Sequence, residues 1–206
     1  MTTNNFKPIL FSTEMVQAIL AGRKTQTRRV VKPQPTHWVS DSNRDVNPVP
    51  CILEKHGLRQ SIPQPFYEGD ILWVRETSIF LHNQWIYKAD NLSEMKLFPG
   101  WNPSIFMPKE AARIFLKVTN VRVERLQDIS ENDAIDEGID FFNHGYGGSP
   151  VGIWYRNYKY GTNNCSPKYS FQTLWDSINA KKHPWESNPW VWVYEFERIE
   201  KPENFL

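Results

Sequence analysis

The run Trp190-Val191-Trp192-Val193-Tyr194-Glu195-Phe196 constrains the fold most. Apolar at nearly every position, it predicts a strand covered on both faces, and so a chain able to wrap it. Other strands follow at Ile71 to Glu76, and across residues 113–125, where Ile114, Leu116 and Val118 alternate, as do Val121 and Val123. Gln84 to Lys88 reads as one more. Helices are fewer. Ser12 can cap one over residues 13–21, which Gly22 ends. Ser130 and Asp133 form a capping-box pattern opening a helix that stops at Gly138. Phe171, Leu174, Trp175 and Ile178 follow the i, i+3, i+4, i+7 spacing of an amphipathic helix. Strands outnumbering short helices predict an α+β chain, a small mixed β-barrel with flanking helices.

A length of 206 residues suits one domain. Two stretches interrupt it, at about 33–66 (rich in Pro, Asn, Ser and Gln) and 141–169 (rich in Gly, Asn and Tyr). Both read as insertions without periodicity. No run approaches the ~18 apolar residues of a membrane helix, so a membrane partner is not expected. The start lacks a signal peptide's apolar core, and the two cysteines suit a reducing compartment, so a cytoplasmic location is expected. Histidines and cysteines show no metal-ligand spacing, so neither metal nor cofactor is expected.

The net charge of +1 conceals segregation. Residues 1–40 carry six basic groups (Lys7, Arg23, Lys24, Arg28, Arg29 and Lys32) against Glu14 alone. Residues 141–175 contain no acid, while Arg156, Lys159 and Lys168 lie among them. Such asymmetry suits a localised anion site, because screening limits exposed charges to about 8–10 Å of reach. Nine tryptophans add flat faces for packing or for base stacking. Trp190 and Trp192 fit a core. Trp154, Tyr155, Tyr158 and Tyr160 accompany Arg156 and Lys159, where stacking competes with loop anchoring.

Gly22-Arg23-Lys24-Thr25-Gln26-Thr27-Arg28-Arg29 resembles the G-x-K-x-x-[E/T]-x-R signature of the ASCH domain, a PUA-like β-barrel family linked to RNA. The segments at residues 7–15 (KPILFSTEM), 69–77 (GDILWVRET), 103–108 (PSIFMP), 174–179 (LWDSIN) and 188–193 (NPWVWV) are similar to those of longer ASCH-like proteins, mostly encoded by phages and prophages. The resemblance implies a PUA-like barrel working in the cytoplasm of a bacterium or a phage-infected host. Small members of the wider family hydrolyse N4-acetylcytidine with a lysine, a threonine and a glutamate. By position these correspond to Lys24, Thr27 and Glu137. This chain is about twice their length, so its insertions could reshape the pocket.

The implied chemistry is coherent. A threonine hydroxyl attacking an amide carbonyl needs a base. Lysine serves only if burial or neighbouring cations lower its pKa from about 10.4. Arg23, Arg28 and Arg29 would supply that field, and Glu137 would carry a proton to the leaving amine. In a regular strand residues three apart face opposite ways, so Lys24 and Thr27 meet only if the chain turns between them. The plainer alternative is a solvated Lys24, a β-forming Thr27 and a Glu137 poorly placed for the helix dipole. Arg29, Arg75, Arg156 and Lys159 are the candidate ligand-binding groups, with structural pairing the alternative for Arg75. Three functions remain open on sequence: nucleobase or RNA recognition with hydrolysis of an N4-acylated cytidine, a metal-independent ribonuclease, and a non-enzymatic phage interaction protein.

Overall fold

The computed structural model describes residues 5–39, 49–53, 59–90, 100–144 and 152–205. Contacts divide the chain into two compact units. One comprises Met1–Thr25, Phe66–Asn120 and Glu195–Leu206; the other comprises Gln26–Pro65 and Val121–Tyr194.

In the first unit, β1 (Phe6–Leu10) pairs parallel with β6 (Ile71–Arg75), from Phe6 opposite Ile71 to Leu10 opposite Arg75. β6 runs antiparallel to β9 (Phe115–Arg125), with Trp73 opposite Phe115. The order continues to β13 (Trp190–Ile199), giving β1–β6–β9–β13. Helix α1 (Thr13–Leu20) is capped where expected: the Ser12 hydroxyl accepts from the Met15 amide, and Val16, Ala18 and Ile19 are buried. Ile71, Trp73, Met107 and Phe115 pack with Phe205, whose ring lies edge-on to Phe115 at 4.7 Å. β7 (Ser78–Leu81) and β8 (Gln84–Tyr87) form a hairpin. Its two-residue turn places His82 and Asn83 both at positive φ, the twist that suits tight hairpins.

In the second unit the sheet order is β9–β13–β2, with β2 at Gln26–Val30. Helices α2 (Glu131–Asp136) and α3 (Pro167–Asn179) supply the rest of a core built on Leu126, Ile129, Phe171, Trp175, Val191 and Val193. The expected helical pattern holds for α3, although Ile178 at its end is exposed. The final strand also matches its sequence pattern, with Val191, Trp192, Val193 and Tyr194 all buried on its two faces.

Three expectations are corrected. A closed mixed β-barrel does not form among the described residues, which build small sheets and three short helices. β1 has β6 as its single neighbour and β2 has β13, so the order stays open. Pro8 in β1 cannot donate to a ladder, as befits an edge strand, and β2 ends shortly before Pro33. The stretch 33–66 is not merely loop. It holds β3 (His37–Val39), β4 (Val49–Leu53) and β5 (Arg59–Ser61), an antiparallel sheet centred on β4. Likewise 141–169 holds β10 (Phe141–His144), β11 (Gly152–Arg156), β12 (Asn163–Asn164) and the start of α3. Residues 40–48, 54–58 and 145–151 of these stretches lie outside the described set. No helix among the described residues is long and apolar enough to cross a membrane.

Candidate functional site

Strand β2 carries the second half of the signature, and its alternation sorts the residues by face. Gln26, Arg28 and Val30 share one side, on which Val30 packs with Val191, Val193 and α3. Thr27 and Arg29 share the other. From this first face the Arg28 guanidinium reaches Glu124 of β9.

Arg28 is fully buried at its side chain and meets three carboxylates. Its Nη2 lies 2.6 Å from Glu124 Oε1 and 3.6 Å from Asp133 Oδ2, and its Nη1 lies 3.1 Å from Glu137 Oε1. Arg122 completes the cluster, donating from Nε to Glu124 Oε2 at 3.1 Å and from Nη2 to Asp133 Oδ1 at 2.8 Å. Gln26 Nε2 donates to both the carbonyl and the Oδ1 of Asp133. With the charge of Arg29 also acting on Glu137 from the other face of the strand, three guanidiniums stand against three carboxylates. That is the condition under which charge can be buried at tolerable cost.

Helix α2 exists to place two of those acids. Asp133 closes its capping box, exchanging hydrogen bonds with Ser130. Burial would raise the Asp133 pKa, but bonds from the Ser130 side chain, Gln26 and the Ser130 backbone, with the Arg28 charge, outweigh it and hold the carboxyl at about 2. Glu137 is the C-cap of the helix, followed by Gly138 in the left-handed conformation (φ 83°). A carboxylate there opposes the helix dipole, and the Arg28 contact offsets that cost. Glu137 is 4 % exposed, so the contact is made away from water.

Arg29 is half-buried on the Thr27 face. Burial pulls its pKa below the ordinary guanidinium value, while the charge of Glu137 and the nearby Tyr194 act in the opposite direction. Thr27 itself is 3 % exposed.

The structure thus brings Glu137 to Arg28 and into the field of Arg29, and sets Thr27 on the opposite face of β2 from Arg28. Lys24 belongs to the first unit, where it is 2 % exposed, with its ammonium 5.6 Å from the Phe11 ring centre. Arg75, in the same unit, donates from Nε to the Met107 carbonyl at 3.1 Å and from Nη2 to the Ile105 carbonyl, bracing the turn at Ser104–Phe106. Arg156 pairs with Asp140 at 3.3 Å and covers the Tyr158 ring; Lys159 lies 5.0 Å from the Tyr160 ring centre. Lys168 donates to the Gln127 carbonyl.

Sequence reasoning missed Gln26, Arg122, Glu124 and Asp133 as members of the site, and saw Arg28 only as background charge. A usable signal was present: Gln26 with Arg28, and Arg122 with Glu124, are polar pairs two apart on strands, hence same-face pairs. Among the described residues no group of three His, Cys, Asp or Glu side chains is placed to hold a metal ion. No protein-family model, curated protein or solved structure matches the chain.

Proposed function

We propose that this chain recognises a nucleobase, in RNA or in a modified nucleoside, and hydrolyses the exocyclic amide of an N4-acylated cytidine. The observation that carries the reading is the buried Glu137 carboxylate, held by Arg28 within the field of Arg29. A fixed carboxylate is the natural acceptor for the exocyclic N4–H of cytosine, and a desolvated guanidinium suits its carbonyl edge. In the hydrolytic step the Thr27 hydroxyl oxygen bonds to the acyl carbon as the C–N4 bond breaks. The hydroxyl proton is relayed through the Glu137 carboxylate to the departing N4, which leaves as the amine of cytidine; the role of base is the one the resemblance assigns to Lys24. Water then cleaves the threonine ester and releases the carboxylic acid.

One observation favours recognition without turnover. Arg28 Nη1 donates to Glu137 Oε1 at 3.1 Å, so the side chain already serves as a hydrogen-bond acceptor. Incubation with N4-acetylcytidine, followed by chromatography for cytidine and acetate, separates the two. Turnover that disappears in Thr27→Ala and Lys24→Ala supports hydrolysis. Binding of the nucleoside without turnover, weakened by Glu137→Gln and insensitive to salt, supports recognition alone. A chain that neither binds nor cleaves it defeats both.

A further inference from the structure

We propose that the β10–β11 hairpin is a stacking platform for single-stranded RNA, its bases lying on Trp154 and Phe142. This deepens the reading above, on which it rests for the class of ligand, by making the natural substrate a polynucleotide rather than a free nucleoside.

The register sorts the hairpin into two faces. Phe141 stands opposite Tyr155 and Asn143 opposite Ile153, and Tyr155 is buried in the core of the second unit. On that side Tyr155 alone is buried, while Phe141 and Ile153 are 43 % and 52 % exposed. Phe142 stands opposite Trp154, and Arg156 follows two residues along, so these three share the opposite face of the hairpin. Phe142 and Trp154 are 44 % and 41 % exposed, an aromatic cross-strand pair presented to solvent.

The indole lies beside Gly152, where a Cβ would stand 3.4 Å from Trp154 Nε1 and 3.9 Å from Cδ1, in van der Waals contact. An exposed indole beside a second exposed ring offers what every base can use, a π-face, without demanding a particular sequence. Solvent-facing aromatic pairs are costly to keep, and an ordinary hairpin would bury or replace them.

Charge selects the occupant. Residues 141–175 contain no acid. Arg156, on the Phe142–Trp154 face, has a half-exposed side chain whose acidic partner is the similarly accessible Asp140 at 3.3 Å. Such an exposed pair contributes little and can yield to a phosphate. Lys159, exposed, lies against the Tyr160 ring, which is itself 64 % exposed. Cations interleaved with open aromatic faces suit a strand of bases and phosphates.

The test is fluorescence anisotropy of a labelled oligouridylate of about a dozen nucleotides, longer than one stacking site. Trp154→Ala and Phe142→Ala should each weaken binding roughly tenfold or more, with the slope of affinity against salt unchanged. Trp154→Phe should recover most of the loss. Arg156→Gln and Lys159→Gln should instead flatten the salt slope by up to about one unit each. Gly152→Val, which displaces the indole without deleting it, should weaken binding as Trp154→Ala does. Thermal melts of each variant exclude unfolding as the cause.

Oligonucleotide affinity indifferent to both ring substitutions overturns the proposal, as does a wild-type chain that binds no oligonucleotide. A chain whose self-association, followed by sedimentation, is lost on ring removal while RNA affinity stays constant also overturns it, in favour of a second copy as occupant. A wild-type chain that binds the oligonucleotide through these rings but ignores N4-acetylcytidine leaves the platform standing and defeats the nucleoside reading.

Discussion

Arg28 and Glu137 are joined at 3.1 Å between Nη1 and Oε1, both buried, so one side chain of β2 fixes the C-cap of α2. The same guanidinium holds Glu124 of β9 at 2.6 Å. Strand and helix are therefore tied by a rigid planar fork, which sets where the Glu137 carboxylate stands.

Arg28→Met should consequently cost about 3–5 kcal/mol of stability, because it takes the bonded guanidinium from the buried Glu137 carboxylate, while Glu124 and Asp133 keep Arg122. Arg28→Lys should also be damaging, since a single ammonium cannot span Glu124 and Glu137 together. Pairing Arg28→Met with Glu137→Gln should recover part of the loss. Urea unfolding of the four chains checks this, and a double variant no better than Arg28→Met alone would show that the pair is not coupled.

Acid should loosen the same region through Asp133. Its folded carboxyl titrates at about 2, below its ordinary value of 3.8. Between those values the unfolded chain binds more protons than the folded one, so stability rises with pH. The contribution is complete above about pH 4 and is lost as pH falls toward 2. Asp133→Asn should flatten the acid limb of the stability profile, measured by denaturant unfolding between pH 5 and 2. Ser130→Ala, which removes the capping hydroxyl, should cost about 1 kcal/mol on the plateau.

Local chemistry was legible and long-range pairing was not. The capping box at Ser130 and Asp133, the left-handed stop at Gly138, the face of α3 and the twice-buried last strand all follow from spacings of four residues or fewer. The Arg28 partners lie 96 and 109 residues away along the chain, at Glu124 and Glu137, and no local period encodes them. Barrel closure depends on strand ends meeting, which the edge proline Pro8 and the brevity of β2 oppose. The sheet β10–β11–β12 was hidden for a different reason. Its Asn, Gly and Tyr content reads as loop, and its outward aromatics blur the usual alternation.

The cysteines should report separately on the small sheet β3–β4–β5. Cys51, in β4, is fully buried, while Cys165 is exposed. A thiol reagent should therefore label one cysteine rapidly in the native protein and the second only after opening of that sheet. Labelling of Cys51 in Cys165→Ser gives the opening free energy, which should lie at or below that of global unfolding. Two equally fast thiols would contradict the packing of β4.

In the first unit Glu76 is 1 % exposed and bound in a fork by Arg113, at 2.8 Å from Nε and 3.0 Å from Nη2. Arg113 also reaches Asp90 and stacks 3.8 Å from the Tyr87 ring centre. Burial raises the Glu76 pKa above its ordinary value; Arg113 pulls it down through hydrogen bond and charge, and Asp90 pushes it up. The folded state therefore holds its proton to higher pH than the unfolded state does, and stability from this group falls as pH rises through that interval. Arg113→Met removes the opposing cation, so at pH 7 it should cost about 3–5 kcal/mol. Lowering the pH toward 5 should return part of that loss, because protonation neutralises the stranded carboxylate. Adding Glu76→Gln to Arg113→Met should return a comparable part at pH 7 and abolish the pH dependence of the difference. Urea unfolding at the two pH values decides: an equal cost at both, in the single and the double variant alike, would show that Arg113 acts through its stacking on Tyr87 and not through the charge of Glu76.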